Sequence, residues 1–192
     1  MTATTSSIQL KPGGQPRLAV GSWRADPAHS QASFTARAAG RDVQGRLPLT
    51  GEVRITEPIE DSTAWLAART SAVSTGSPVL DRLLAGPGFL DARAFPEISF
   101  QSDLLAWVPA GWRAVGRLRV KNAEHELACQ LSLHPAGLHP AGLHPAGPRP
   151  PGPRIVIAGS WAIDSRWVTS QWIPGLGRRI VMTCSCLLEL GM

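Results

Sequence analysis

Alternating apolar and polar residues, with a period of two, recur along most of the chain and predict β-strands. Residues 33–37 and 51–55 alternate in this way before turn or breaker residues, and two longer alternating runs cover residues 113–120 and 126–133. Between the two longer runs lies a short turn segment, in which Asn122 tolerates the left-handed backbone of a tight turn. We therefore predict half-buried strands, the last two of which form a hairpin.

The rest of the chain adds further strands and a single helix. Strands are predicted at residues 65–75, 96–104, 155–163 and 179–190, and also near Leu47 and near Val53. Apolar residues at three-and-four spacing predict a helix over residues 77–85, which Gly86 ends. About eight short strands joined by hairpins, with one inserted helix, indicate an all-β antiparallel barrel or sandwich.

Two segments of unusual composition bound the predicted domain. Residues 1–20 are rich in Thr, Ser, Gly and Pro without a sustained period, which indicates a flexible tail ahead of a single domain at residues 21–192. From Leu133 onward, the sequence Leu-His-Pro-Ala-Gly occurs three times and runs into a Pro-rich stretch. Because Pro removes backbone donors, residues 134–153 are predicted to form a long surface loop between two strands.

Composition narrows the class of protein. Apolar residues make up 43% of the chain and charged residues 17%, which is enough apolar content for a folded core. The net charge is +5, but the cations are scattered singly and Tyr is absent, so we do not expect nucleic-acid binding. No apolar stretch approaches the ~20 residues of a membrane-spanning helix. Residues 1–8 do not resemble a secretion signal and the three Cys lack CxxC spacing, which predicts reduced thiols and a cytoplasmic location.

Two groups of polar residues could in principle support catalysis. Asp26, His29 and Ser30 lie within one short segment, but residues so close together seldom form a relay, and the chain has no G-x-S-x-G elbow. We interpret this segment as an Asx-type turn, with His29 hydrogen-bonding across strands. Asp81 and Arg82 are interpreted as a solvent-facing helix edge or an internal ion pair rather than as catalytic groups.

The histidines and cysteines do not predict a metal site. His134, His139 and His144 recur with the repeat, but no carboxylate or Cys lies within it to complete a set of ligands. Cys184 and Cys186 are two apart on a predicted strand and therefore share a face, where small buried apolar residues are the better interpretation.

The predicted inward positions combine very small side chains with long ones. Ala36, Gly116 and Cys184 are small, whereas Phe34 and Leu118 on the same predicted faces are large. A barrel of about eight strands is just wide enough for packed side chains or for one small ligand. The small inward residues favour a ligand cavity, and a tightly filled barrel remains the alternative.

Several ordered motifs run from Trp23 onward. Residues 23–30 read W-R-A-D-P-A-H-S, residues 72–84 include A-V-S-T-G and L-D-R-L-L, and residues 88–102 include G-F-L-D and F-P-E-I-S-F-Q-S. Residues 116–120 read G-R-L-R-V. Together these resemble the YceI-like family of polyisoprenoid-binding proteins, whose members share a W-x-x-D-x-x-H-S opening, a T-G turn, a D-x-x-L helix and an F-P-x-I-x-F-x-S strand.

The resemblance implies an extended, antiparallel, eight-stranded, lipocalin-like β-barrel with one short inserted helix. It further implies that the interior holds a long isoprenoid chain, such as a polyprenyl lipid or an isoprenoid quinone, without a catalytic residue, a metal or another cofactor, and that the protein can form a homodimer. The predicted ligand-binding residues are Phe34, Ala36, Val73, Leu84, Phe89, Phe100, Gly116, Leu118, Cys129, Leu131, Met182 and Cys184.

Two alternatives come from other functional classes. One is an interaction scaffold, in which the repeat loop and the basic surface bind a protein partner. The other is an enzyme for an amphipathic small molecule, with His29 or Asp81 as its acid or base. Carriage or sequestration of an apolar lipid is the hypothesis that the motifs and the inward residues favour together.

Overall fold

The computed structural model shows nine strands and one α-helix in the residues that it describes, which are 18–109, 111–135, 153–169 and 175–191. The strands are β1 Gly21–Ala25, β2 Gln31–Ala38, β3 Arg41–Ile55, β4 Thr63–Arg69, β5 Glu97–Val108, β6 Gly111–Val120, β7 Ala123–Pro135, β8 Arg154–Asp164 and β9 Arg179–Leu190. The helix α1 spans Pro78–Ala85, and 3-10 helices span Ile59–Asp61, Thr70–Ala72 and Ser165–Trp167. None of the described helices is long and apolar enough to cross a membrane.

Strands β2 to β9 close into an eight-stranded antiparallel barrel, because β3 pairs with both β2 and β4. Strand β1 is the extra one. It pairs with β3 and β9 beyond the end of β2: Trp23 lies opposite Val53 and Leu190, whereas Phe34 of β2 lies opposite Gly45 and Met182. Strands β1 and β2 are therefore successive halves of one position in the barrel wall, and the predicted fold class is confirmed.

The period-two pattern decides which side chains enter the barrel. In β6 the even-numbered residues from Trp112 to Val120 are buried, while Arg113, Arg117 and Arg119 are exposed. In β2 the inward face includes Ala32 and Ala36, whose side chains are buried. Because burial of apolar area contributes roughly 25 cal/mol per Å², this alternation is what selects the register of each strand.

The two ends of the barrel are built differently. At one end lie α1, the turn between β2 and β3, the turn between β6 and β7, and the 3-10 helix Ser165–Trp167; we call this the helix end. At the opposite end lie the 3-10 helix Ile59–Asp61 and the fully buried Trp23, whose Nε1 donates to the carbonyl of Ala19 at 3.0 Å. Leu18 and Ala19 pack against the core there, so contacts with the fold begin before β1.

The strand predicted at residues 65–75 is shorter than expected. Strand β4 ends at Arg69, because Thr70 turns away to bond with the loop before β5: its N–H donates to Pro96 O at 3.0 Å and its Oγ1 donates to Phe95 O at 2.7 Å. Within β4, Ala64 is buried and Trp65 is exposed, which settles the inward face of this Ala-rich strand.

Three smaller expectations also differ from the structure. The strands expected separately near Leu47 and Val53 are one continuous strand, β3. In the turn between β6 and β7, Lys121 rather than Asn122 has the positive φ, at 57°. Strand β7 continues through His134 and Pro135, two residues into the predicted loop, and residues 136–152 lie outside the described part of the chain.

We expect the repeat loop to be dispensable for folding. In β7 and β8, Pro135 lies opposite Ile155, so the ends of the hairpin are already adjacent. The entropy of loop closure grows only logarithmically with length. Replacing residues 136–152 by a four-residue turn should therefore leave the melting temperature within a few degrees of the parent value or raise it, as measured by circular dichroism. A large fall would mean that the segment packs on the barrel.

Candidate ligand cavity

The barrel encloses a cavity of about 320 Å³. Its described wall is apolar almost throughout, and Ser99 is the one hydroxyl-bearing residue in that wall. Protein interiors seldom leave voids larger than a water molecule, whereas ligand pockets start at about 300 Å³. The barrel is therefore not the tightly filled alternative, and its interior has room for a small apolar molecule or part of a longer one.

Short side chains on two strands make this room. Ala32 and Ala36 on β2 and Ala64 and Ala68 on β4 line the cavity, and these two strands flank β3. The larger wall residues are aromatic or long, such as Phe100 on β5. At these four positions the wall carries only methyl groups, and the space that larger side chains would have filled stays open.

The residues predicted to bind a ligand come together around this one cavity, with a single exception. Strands β2, β5, β6, β7 and β9, helix α1 and the segments flanking it contribute Phe34, Ala36, Val73, Leu84, Phe89, Phe100, Leu118, Cys129, Leu131, Met182 and Cys184. The exception is Gly116, which is buried but does not line the cavity. A Cβ on Gly116 would lie 2.1 Å from Gln101 O and 2.6 Å from Ser102 Cα, so the backbone of β5 covers it.

Other wall residues escaped the sequence analysis. Ala64 precedes the strand predicted at residues 65–75, and Ala68 lies in its Ala-rich part, where alternation of apolar and polar residues is absent. Trp112 and Trp161 also line the cavity, and the alternation of β6 carries the signal for the first of them, since Trp112 shares the parity of Leu118. Leu18 precedes the predicted start of the domain, and no pattern in the sequence indicates its place in the wall.

Three cysteines contribute thiols to the wall, and Cys129 is held in its neutral form. Cys129, Cys184 and Cys186 are buried free thiols that line the cavity, which confirms the interpretation of Cys184 and Cys186 as small buried apolar residues. Burial, with a smaller contribution from Cys184 nearby, raises the pKa of Cys129 to about 11. This thiol is therefore protonated at neutral pH, so an apolar ligand that packs against it does not bury a charged group.

The Asp26-to-Ser30 segment is a turn that joins β1 to β2. Asp26 Oδ1 accepts from the Ala28 N–H at 2.9 Å, and Asp26 Oδ2 lies 2.6 Å from His29 Nδ1. Burial raises the pKa of Asp26, but the bonds from His29 and Ala28 outweigh it and hold that pKa below its usual value. The Asx-type turn is thus confirmed, although His29 bonds within the turn and not across strands.

Ser30 makes the cross-strand contacts that were expected of His29. Its Oγ accepts from the Leu187 N–H at 3.1 Å and donates to Leu187 O at 3.4 Å. Within the described structure no hydrogen bond joins Ser30 to His29, so the three residues do not form a nucleophile relay.

Loss of the Ser30 hydroxyl should measurably destabilise the fold. Ser30 is 3% exposed, and Ser30→Ala leaves both backbone groups of Leu187 without their side-chain partner. We expect a loss of about 2 kcal/mol in the free energy of unfolding, measured by urea denaturation. Ser33→Ala on the outer face of β2 is the control and should change the value by less than about 0.5 kcal/mol. Equal effects of both changes would contradict the structural role of Ser30.

The sequence matches the YceI-like domain over residues 23–164. The chain belongs to the YceI-like family. No curated protein matches it. Solved structures with the same fold include Burkholderia cenocepacia BcnA, with a TM-score of 0.69, 15% identity, and coverage of 85% of this chain and 98% of that one. Another is the polyisoprenoid binding domain from Saccharophagus degradans, with a TM-score of 0.62, 11% identity, and coverage of 90% and 100%. The Campylobacter jejuni YCEI protein matches at a TM-score of 0.63 and 12% identity, over 79% and 87%.

The structure explains why the YceI-like T-G turn and helix Asp occur together here. Asp81 Oδ1 accepts from both the N–H and the Oγ1 of Thr75, each at 2.6 Å, which ties the turn to the first part of α1. Asp81 is therefore neither a solvent-facing edge nor half of an ion pair with Arg82, as the sequence suggested. Its carboxylate holds α1 in position by accepting both hydrogen bonds from Thr75.

Of the three histidines in the repeat, only His134 lies within the described residues. His134 lies in β7, with Nε2 at 3.2 Å from Ser132 Oγ, whereas His139 and His144 lie outside the described residues. Among residues 18–109, 111–135, 153–169 and 175–191, no three His, Cys, Asp or Glu side chains are grouped as metal ligands.

Proposed function

We propose that this YceI-like protein binds a long apolar isoprenoid-type lipid, a polyprenyl lipid or an isoprenoid quinone, inside its barrel and carries or sequesters it. The proposal rests on the apolar cavity of about 320 Å³ inside the barrel. The domain from Saccharophagus degradans that shares this fold is described as polyisoprenoid binding, which supports the same ligand class.

The chemistry of the wall favours an uncharged hydrocarbon. Each buried CH2 group contributes about 0.8 kcal/mol, so one five-carbon isoprene unit contributes roughly 3–4 kcal/mol without any charged anchor. Burying an isolated phosphate or carboxylate would cost far more than this, and the described wall contains no charged side chain that could pair with one. We infer that the chain of the lipid lies inside and that any charged headgroup stays at the mouth.

The alternatives find less support. An enzyme with His29 or Asp81 as its acid or base is disfavoured, since the first residue is bonded to Asp26 and the carboxylate of the second accepts two bonds from Thr75. A scaffold that uses the repeat loop depends on residues outside the described structure. Homodimer formation and the cytoplasmic location stay predictions.

The proposal is tested by titrating delipidated protein with polyprenols of increasing length. Trp112 and Trp161 line the cavity, so intrinsic fluorescence should report entry of the ligand. We expect saturable binding whose affinity rises about tenfold or more with each added isoprene unit, until the cavity is full. Non-saturable binding, or an affinity that does not depend on chain length, would contradict binding inside the barrel.

A further inference from the structure

Helix α1 presents an unusual apolar surface to solvent. None of its residues is fully buried, and Val79 and Leu83 are 75% and 53% exposed. These two residues are four apart, so they lie on one face of the helix. Leu83 also lines the cavity. The apolar wall of the cavity therefore continues onto the protein surface beside α1, and this is where we place the mouth.

Other segments are bonded around this mouth. The segment before α1 joins β3, because Arg46 and Ser74 bond each other's backbone at 2.9 Å in both directions. The loop after α1 joins the segment at the end of β8 through Thr169 Oγ1, which donates to Gly88 O at 2.7 Å. The residues of these segments therefore lie together at the helix end of the barrel.

The helix end also carries an excess of positive charge. Among the described residues, the cations at this end that form no ion pair include Arg41, Arg82, Arg93, Lys121 and Arg179. Asp91, Glu97 and Glu126 offset only part of this charge, and Arg166 and Arg178 share the single carboxylate of Asp164. At the opposite end, the 3-10 helix and the segment before it carry Glu57, Glu60 and Asp61, with the exposed Arg24 and Arg54 on the neighbouring strands, so no comparable excess of positive charge occurs among the described residues there.

We propose that the helix end docks on a lipid bilayer with anionic headgroups, with Val79 and Leu83 entering the interface and the surrounding cations meeting the phosphates. This inference rests on the proposed function, and it names the route by which lipid enters the cavity, past Leu83. The cations at the helix end favour the orientation in which the mouth faces an anionic membrane surface.

A bilayer fits these features better than a protein partner does. The apolar pair is small and the cations are spread around it, whereas a protein interface buries an apolar centre of several residues. Each Lys or Arg held near an anionic surface strengthens binding about fivefold, so several dispersed cations and two inserted side chains suffice for reversible association.

The test is co-sedimentation of the full chain with vesicles of phosphatidylcholine alone or of phosphatidylcholine with phosphatidylglycerol. We expect binding to the anionic vesicles only, weakened by salt, and a partition coefficient about tenfold lower for Val79→Asp. Val20→Asp is the matched control: Val20 is 54% exposed but lies beside β1 at the opposite end, so its change should have no comparable effect. Absence of binding to anionic vesicles, or equal loss in both variants, would overturn the proposal. Capture of a protein partner through Val79 without vesicle binding would overturn it as well.

Polyprenol titration separates this inference from the proposed function. Val79 does not line the cavity, so Val79→Asp should keep the polyprenol affinity of the parent while slowing transfer of polyprenol from anionic vesicles. Vesicle binding without polyprenol binding would refute the lipid-binding function and leave docking standing. Polyprenol binding with transfer that is insensitive to Val79→Asp would refute docking at α1 and leave the function standing.

Discussion

Replacing Ala36 by Phe is expected to weaken polyprenol binding about tenfold or more. Ala36 lies on the inner face of β2 and lines the cavity, so the added ring occupies space that the lipid would otherwise fill. Because the ring enters open space instead of a packed core, the free energy of unfolding of the lipid-free protein should stay within about 1 kcal/mol of the parent or rise. Polyprenol titration and urea denaturation of delipidated samples provide the two measurements.

Thr35→Phe is the control for that substitution. Thr35 directly precedes Ala36 in β2, so its side chain is on the opposite face of the strand and points away from the cavity. Its cross-strand partner Val181 does not line the cavity either. The same ring added there should leave polyprenol affinity unchanged. If Ala36→Phe instead cost the roughly 1–3 kcal/mol that is typical of overpacking and left binding unchanged, the interior at Ala36 would be filled core and the cavity account would be wrong there.

Gly116→Ala should have the opposite outcome from Ala36→Phe. A single methyl group at Gly116 would meet Gln101 O at 2.1 Å and Ser102 Cα at 2.6 Å, and both are backbone atoms that cannot turn aside. Strand β5 must shift to admit it, so we expect a loss of about 3 kcal/mol in the free energy of unfolding. The protein that remains folded should bind polyprenol as the parent does, because Gly116 is not part of the cavity wall.

Gly177→Ala is the matched control for the added methyl group. A Cβ on Gly177 would lie 3.3 Å from Arg37 Cβ and 3.4 Å from Arg37 O, so the neighbouring segment needs to move by only a few tenths of an ångström. Its cost should be below about 1 kcal/mol. If Gly116→Ala instead lost polyprenol affinity without losing stability, Gly116 would be part of the cavity wall. That result would contradict the close packing of β5 against Gly116.

Much of this fold follows from the period-two alternation. Because consecutive side chains of a strand point to opposite faces, the pattern around Phe34 and Ala36 and the pattern of β6 each identify the residues that enter the barrel. Among the residues predicted on this basis, all but Gly116 lie around one cavity. Helix α1 was also predicted to within one residue, because its apolar spacing and Gly86 mark both ends.

What the pattern could not predict depends on neighbours distant in sequence. Gly116 and Leu118 lie on the same face of β6, so alternation assigns both to the cavity wall. Gly116 is excluded from the wall only because the backbone of β5 lies close against it. The end of β4 at Arg69 depends on bonds between Thr70 and a loop some 25 residues later. The spacing of α1 predicts an apolar face but not its exposure at Val79, because exposure depends on what the barrel places against the helix.

Whether the barrel holds an apolar lipid is decided by mass spectrometry of an organic extract from freshly purified protein. We expect a long-chain isoprenoid lipid at a substantial fraction of one molecule per chain, retained by Thr35→Phe and strongly depleted in Ala36→Phe. Recovery of nothing, or of traces of heterogeneous detergent, from protein made under several expression conditions would contradict this expectation.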